Sequence, residues 1–205
     1  MIILLDPAHG IDVLGKRSPD ERLLEYKYSR EICDEVLARL RLEGYNVELT
    51  TTSEKEPGLT KRVNNINAFC NKFGAKNVCV VSIHLNAAGN GEWRNATGWE
   101  AWTSKGQTQG DKLAECLYDA AEQVLTPLFP SVSKSKLIRV DFADGDRDKE
   151  SNFTVLYKSK CAACLTENFF MDNKDNVDWL LSPCGRDAIV RLHVEGIKKY
   201  VEKYS

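Results

Sequence analysis

The chain has 205 residues, 42% of them hydrophobic, and its 28 basic and 30 acidic side chains leave a formal net charge of -2. That length can bury a sizeable core without disulfides or metals, and the near-neutral balance excludes the broad basic footprint of a nucleic-acid binder. No apolar run approaches the roughly 20 residues a membrane helix needs, and Met1-Ile2-Ile3-Leu4-Leu5-Asp6 lacks the basic start and apolar length of a signal peptide.

In chain order, strand-like and helix-like segments alternate without a repeat or a linker. The aliphatic run Ile2 to Asp6 predicts a buried strand, broken by Pro7-Ala8-His9-Gly10. Ser18-Pro19-Asp20-Glu21 has the spacing of a capping box with Pro at the first helical position, and predicts a helix from there to about Glu43. Asn46 to Thr50 reads as a strand, and Leu59 to Phe73 as a helix ended by Gly74. The unbroken apolar run from Val78 to Ile83 suits a strand covered on both faces. Gly98 to Thr103 follows as a strand and Gly110 to Leu125 as a helix. A polar stretch from Pro127 through Lys149, with Asp141, Asp144, Asp146 and Asp148, reads as a long surface loop. Cys161 to Thr166 predicts another buried strand, and Gly185 to Tyr204 a closing helix. This alternation implies a single α/β domain over residues 1–205, a mostly parallel twisted sheet with helices on both faces.

The 7 cysteines are odd in number and irregularly spaced, which suits free, mostly buried thiols better than a disulfide framework. Cys161-Ala162-Ala163-Cys164 has no second pair to complete a zinc ribbon and lies in an apolar run, so both are read as small strand residues.

In such sheets, ligands gather beyond the carboxyl ends of the strands. His9 follows the first strand, His84 ends the third, and Glu167 ends the late strand in Leu165-Thr166-Glu167-Asn168. Two of only 3 histidines would thus stand at one sheet edge. Glu25 shares a helix face with Ser29, Ile32, Val36 and Leu40. It either points at the core, where a carboxylate needs a partner such as a metal, or faces solvent as a helix-start carboxylate favoured by the macrodipole. Two His and one Glu are a known ligand set for catalytic zinc, with the fourth position left to water. His193, between Leu192 and Val194, reads as structural or surface.

At these residues the sequence resembles the zinc-dependent N-acetylmuramoyl-L-alanine amidases of the Amidase_3 family, cell-wall hydrolases of bacteria and phage endolysins. DPAHG is similar to the family's opening DPGHG, with Ala8 in place of Gly. EYKYSREI from Glu25, SIHLNA from Ser82, GWEAW from Gly98, LTENFFMDN from Leu165 and the final Gly196-Ile197 with Tyr200 match later family segments in order. The resemblance implies His9, Glu25 and His84 as ligands of Zn2+ and Glu167 as catalytic acid/base. It implies peptidoglycan as substrate, cut between the lactyl group of N-acetylmuramic acid and L-alanine. Residues 135–150 match no family segment. Asn86 and Ala87 are expected to line the groove, and Arg139 is a candidate contact to the stem peptide, although most of the charges around it suit a solvated loop. Trp93, Trp99 and Trp102 are candidates for stacking on sugar.

Two other readings use the same residues: a zinc peptidase or carboxypeptidase acting within the stem peptide, and a non-catalytic wall-binding module. Retention of Glu167 argues against the second, because metal binding alone does not require it. Without a signal peptide, the expected route is cytoplasmic accumulation and endolysin-like release to the wall, or export from a longer precursor.

Overall fold

The computed structural model describes residues 1–205. Six strands form one sheet: β1 (Ile2–Pro7), β2 (Asn46–Leu49), β3 (Val78–Asn86), β4 (Trp99–Thr103), β5 (Lys149–Glu150) and β6 (Ala162–Phe170). Their spatial order is β2-β1-β3-β6-β4-β5. The first four of these run parallel, and β4 lies antiparallel to β6. Seven helices complete the chain: α1 (Glu25–Leu42), α2 (Leu59–Phe73), α3 (Gln109–Leu125), α4 (Lys134–Leu137), α5 (Thr154–Lys158), α6 (Lys174–Leu180) and α7 (Pro183–Tyr204).

Successive strand residues point to opposite faces, so each apolar strand feeds two cores. Ile3, Leu5, Cys79, Val81, Ile83 and Cys164 join the larger core, under α1, α3, α6 and α7. Leu4, Val78, Val80, Ala163 and Leu165 join a smaller one with Ile66 and Cys70 of α2 and with Val155 and Leu156 of α5. Both faces are therefore covered, which explains the uninterrupted apolar strands. Helices α3 and α7 pack closely because Gly196 has no Cβ; one there would sit 2.9 Å from the Leu117 Cα. No helix is long and apolar enough to cross a membrane.

Two expectations need correction. Ser18 does not start a helix: its backbone N–H donates to the Leu23 carbonyl, and its hydroxyl oxygen accepts from the Leu23 N–H. Ser18 Oγ also donates to Asp20 Oδ1, 2.7 Å away, which closes residues 18–23 into a turn. Helix α1 begins at Glu25 itself, with Leu24 as its uncapped N-cap. The true capping box is Thr108 with Asp111, at the start of α3.

The polar stretch is not a solvated loop throughout. It contains a 3-10 turn at Thr126–Leu128, then α4 and the start of β5. Arg147 is largely buried and ion-pairs with Glu115, Asp119 and Glu122 of α3, while Asp148 is only 1% exposed. Its apolar residues Leu137 and Ile138 are core, which anchors the segment to the sheet. All seven cysteines are free.

Candidate functional site

Parallel packing brings the carboxyl ends of β1, β3 and β6 to one edge, where the chemically distinctive residues meet. Strand β3 runs past His84 to Asn86, and β6 past Glu167 to Phe170, so both residues lie inside strands and not at their last positions. His84 and Glu167 are direct register partners. Beyond them the pairing jumps to Asn86 with Phe170, a bulge that puts Phe169 at φ 65°. Such irregularities re-aim side chains at strand ends.

His9 sits just past β1 with φ 47°, a conformation L-residues seldom adopt. Two guanidinium groups hold it there. Arg30 donates to the Ala8 and His9 carbonyls at 3.0 and 2.8 Å, and Arg62 donates to the Pro7 and His9 carbonyls at 2.5 and 3.0 Å. Gly10 completes the loop, since a Cβ there would fall 2.0 Å from the Glu56 nitrogen. Arg62 is buried and pairs with Asp6 at 2.9 Å and with Glu56 at 2.9 Å. Asp6 in turn accepts from the Thr50 hydroxyl and, at 2.7 Å, from Ser82 Oγ, which lies 3.2 Å from His84 Nε2. Thus a buried polar network ties the backbone of His9 to the ring of His84. Asp6, Arg30, Arg62 and Ser82 were not singled out from sequence. A polar residue inside an otherwise apolar strand run, as at Asp6 and Ser82, is the available signal.

Glu25 points inward and is 1% exposed. Its Oε1 accepts from the Leu85 N–H at 3.1 Å and lies 3.1 Å from His84 Nδ1. Its Oε2 lies 3.4 Å from His9 Nε2 and has no hydrogen-bond partner. Burial alone would raise this carboxyl, but the adjoining imidazoles of His84 and His9 outweigh it and hold the group well below the usual carboxylate range. One ligand atom from each of His9, Glu25 and His84 lies within 4.8 Å of the other two. Nitrogen and oxygen donors converging beside an unpartnered buried carboxylate oxygen fit a divalent metal of the zinc type.

Glu167 is partly exposed, yet its Oε2 is enclosed without a partner. Burial, with the nearby charges of Glu25 and Glu100, pushes its carboxyl well above the ordinary range. Glu100 faces it across the β4–β6 register. That buried carboxylate accepts from Asn86 Nδ2 at 2.8 Å, Trp102 Nε1 at 3.1 Å, Arg139 Nε at 2.6 Å and Lys149 Nζ at 2.8 Å. Asn86 and Arg139 therefore stand beside the site with their polar groups already engaged. Ala87 is exposed and lines a groove of about 470 Å³ with Lys16, Arg17, Asn90 and Met171. Trp99 is fully buried with its Nε1 on Asn168, Trp102 is half-buried, and Trp93 is exposed. Trp99 is thus a core residue and not a sugar platform.

His193 is fully buried and structural. It bridges the Ile189 carbonyl at 2.7 Å and Thr166 Oγ1 at 2.9 Å. Asn168 Nδ2 reaches Thr166 Oγ1 at 3.1 Å and the His84 carbonyl at 2.9 Å. The relay supports the strand on either side of Glu167.

Residues 3–199 match the family model described as N-acetylmuramoyl-L-alanine amidase, Amidase_3. The chain is 25% identical over 197 residues to N-acetylmuramoyl-L-alanine amidase CwlM of Bacillus licheniformis, covering 96% of this chain and 67% of that protein. It is also 25% identical over 199 residues to the sporulation-specific N-acetylmuramoyl-L-alanine amidase of Bacillus subtilis, with 96% and 67% covered. An N-acetylmuramoyl-L-alanine amidase structure from Clostridium difficile 630 superposes with a TM-score of 0.79 at 24% identity, covering 100% of this chain and 98% of that one. A family match across nearly the whole chain, on a fold that this neighbour shares, makes this protein a member of the Amidase_3 family.

Proposed function

We propose that residues 1–205 form a single catalytic domain that hydrolyses the amide between the lactyl group of N-acetylmuramic acid and L-alanine of the peptidoglycan stem peptide. The observation that carries this reading is the convergence of His9, Glu25 and His84 around an unpartnered carboxylate oxygen, with Glu167 on the adjoining strand. Family membership supplies the bond and the substrate class.

In this reading His9, Glu25 and His84 hold a zinc ion. When bound, zinc supplies Lewis acidity and lowers the pKa of water from 15.7 towards about 7. The chain's own work is proton transfer and positioning. Glu167 takes a proton from the attacking water as its oxygen adds to the lactyl carbonyl carbon. It then returns that proton to the alanine nitrogen as the C–N bond breaks, giving a free acid and a free amine. A carboxyl group beside other carboxylates and enclosed on one oxygen suits a group that must hold a proton between the two steps. Arg30 and Arg62 keep His9 in place, and Ala87 with the adjoining groove receives the stem peptide. Asn86 and Arg139 orient the Glu100 side of the cleft. The site of action is the cell wall, reached by endolysin-like release or by export.

A defined N-acetylmuramoyl-L-alanyl peptide tests this directly. Mass spectrometry should show the free lactyl acid and the L-alanyl peptide. Cleavage only between amino acids would move the scissile bond into the peptide, and intact substrate with metal-loaded protein would favour a wall-binding module.

A further inference from the structure

The groove over Ala87 has two walls, and both are fixed to the elements that carry the candidate ligands. On one wall the Ala88 and Gly89 N–H groups donate to Asp172 Oδ2, each at 2.8 Å, so the turn after β3 is held to the end of β6. On the other, Arg17 and Leu24 pair as an antiparallel bridge, and the Lys16 carbonyl accepts from the Glu25 N–H at 3.0 Å. Residue 16 is thereby tied to the first residue of α1, whose side chain belongs to the candidate metal group.

The two cations on that second wall differ. Arg17 is exposed and ion-pairs with Glu21 at 3.2 Å. Lys16 is half-buried and lines the groove with Ala87 and Met171, yet its ammonium has no carboxylate within ion-pair distance. Burial and two carboxylates raise the Glu167 carboxyl, and Lys16 is a cation near enough to oppose them. An unpaired cation, positioned through its main chain and open to a groove beside the reacting residues, is a receptor for an anionic group of the substrate.

We propose that Lys16 binds the α-carboxylate of the second stem-peptide residue, so that the protein prefers stem peptides with that group free over those carrying it as a carboxamide. The inference rests on the amidase reading, which puts L-alanine at the reacting residues. In a stem peptide the residue after alanine is a D-glutamate joined onward through its side chain. Its α-carboxyl is therefore the first acid beyond the scissile amide. Adjacent Cα atoms are about 3.8 Å apart, which keeps that carboxyl within roughly 8 Å of the scissile nitrogen. This is the scale over which the Lys16 charge acts on Glu167. A carboxamide offers the ammonium an oxygen but no charge.

Two N-acetylmuramoyl tripeptides, one with L-Ala-γ-D-Glu-L-Lys and one with L-Ala-γ-D-isoglutaminyl-L-Lys, differ only at that group. Calorimetry on zinc-loaded Glu167→Gln should give a Kd about 3- to 10-fold lower for the acid. The difference should shrink as salt rises from about 0.05 to 0.5 M. Adding Lys16→Gln should bring the two Kd values together, while Lys16→Arg keeps them apart and Arg17→Gln leaves their ratio as it is. Because Lys16 is held through its main chain, these substitutions leave the loop in place. With Glu167 intact, the ratio of kcat/KM for the two tripeptides should follow the ratio of Kd. Equal Kd values, no measurable binding, or a preference that survives Lys16→Gln overturns the proposal. So does a Lys16→Gln variant that shifts the pH profile of kcat equally on both tripeptides, which would make Lys16 a partner of Glu167 and not of the substrate. If Lys16→Gln abolishes the preference but the native chain cleaves neither tripeptide, the Lys16 contact stands and the amidase reading falls.

Discussion

Glu25 is a buried carboxylate and Glu167 a partly exposed one with an enclosed Oε2, and their surroundings push them in opposite directions: Glu25 faces two imidazoles, Glu167 faces two other carboxylates. That contrast suits the proposed ligand role of Glu25 and the proposed proton-carrying role of Glu167, and substitutions should separate the two. Glu167→Gln keeps the shape and all three candidate ligands, so bound zinc by elemental analysis should remain near one per chain while turnover falls by about 10²–10⁴. His84→Ala should lose metal and turnover together. Equal activity in Glu167→Gln and native protein would remove Glu167 from the reaction. Arg62 tests the support beneath His9. Replacing it by Met leaves Asp6 buried without its cation, a loss of about 3–5 kcal/mol, readable as a lower denaturation midpoint.

At the scale of elements, His193 joins α7 to β6 and makes a pH-dependent contribution. Desolvation lowers its pKa to about 4, only partly offset by the hydrogen bond to Ile189. The unfolded chain, near 6.5, then binds more protons in between. Stability from this residue is complete above about pH 6.5 and falls as pH drops towards 4, by about 3 kcal/mol in all. His193→Gln should flatten the melting profile within that window; an unchanged slope would contradict this account. Gly196 tests the α3–α7 contact. A methyl there meets the Leu117 backbone, so Gly196→Ala should cost about 1–3 kcal/mol as the helices part, seen as a drop in Tm.

The elements readable from sequence are those whose apolar period is long and uninterrupted: β1, β3, β6 and the helices α2, α3 and α7. Ser18 misled because the same serine spacing serves a helix cap and a closed turn, and only the partner Leu23, set by tertiary position, distinguishes them. The buried state of Asp148 and Arg147 was invisible for a similar reason. Both depend on residues roughly thirty to forty-five positions away, at Thr103 and Glu115. Glu25 was the reverse case: its helix face admitted two orientations, and packing against the strand edge selects the inward one.

For the whole molecule, two cores carry the fold and the candidate metal group sits at the sheet edge. Stripping metal should therefore abolish turnover while leaving the circular dichroism spectrum of an α/β protein, and added zinc should restore activity. Collapse of secondary structure on chelation would show that the metal holds the fold and not only the chemistry. The convergence of His9 and His84 at one edge, with Glu167 beside them, was legible because parallel strands carry distant residues together. The supporting network of Asp6, Arg30, Arg62 and Ser82 was not legible, because its members are joined by contacts and not by spacing.

The most direct test is product analysis on purified peptidoglycan, with native protein and Glu167→Gln side by side and metal content determined for each. New N-terminal alanine, without new reducing sugar and only with the native protein, is the result predicted. New amino termini from within the stem peptide, or no release from protein that carries its zinc, would contradict the assignment of the scissile bond.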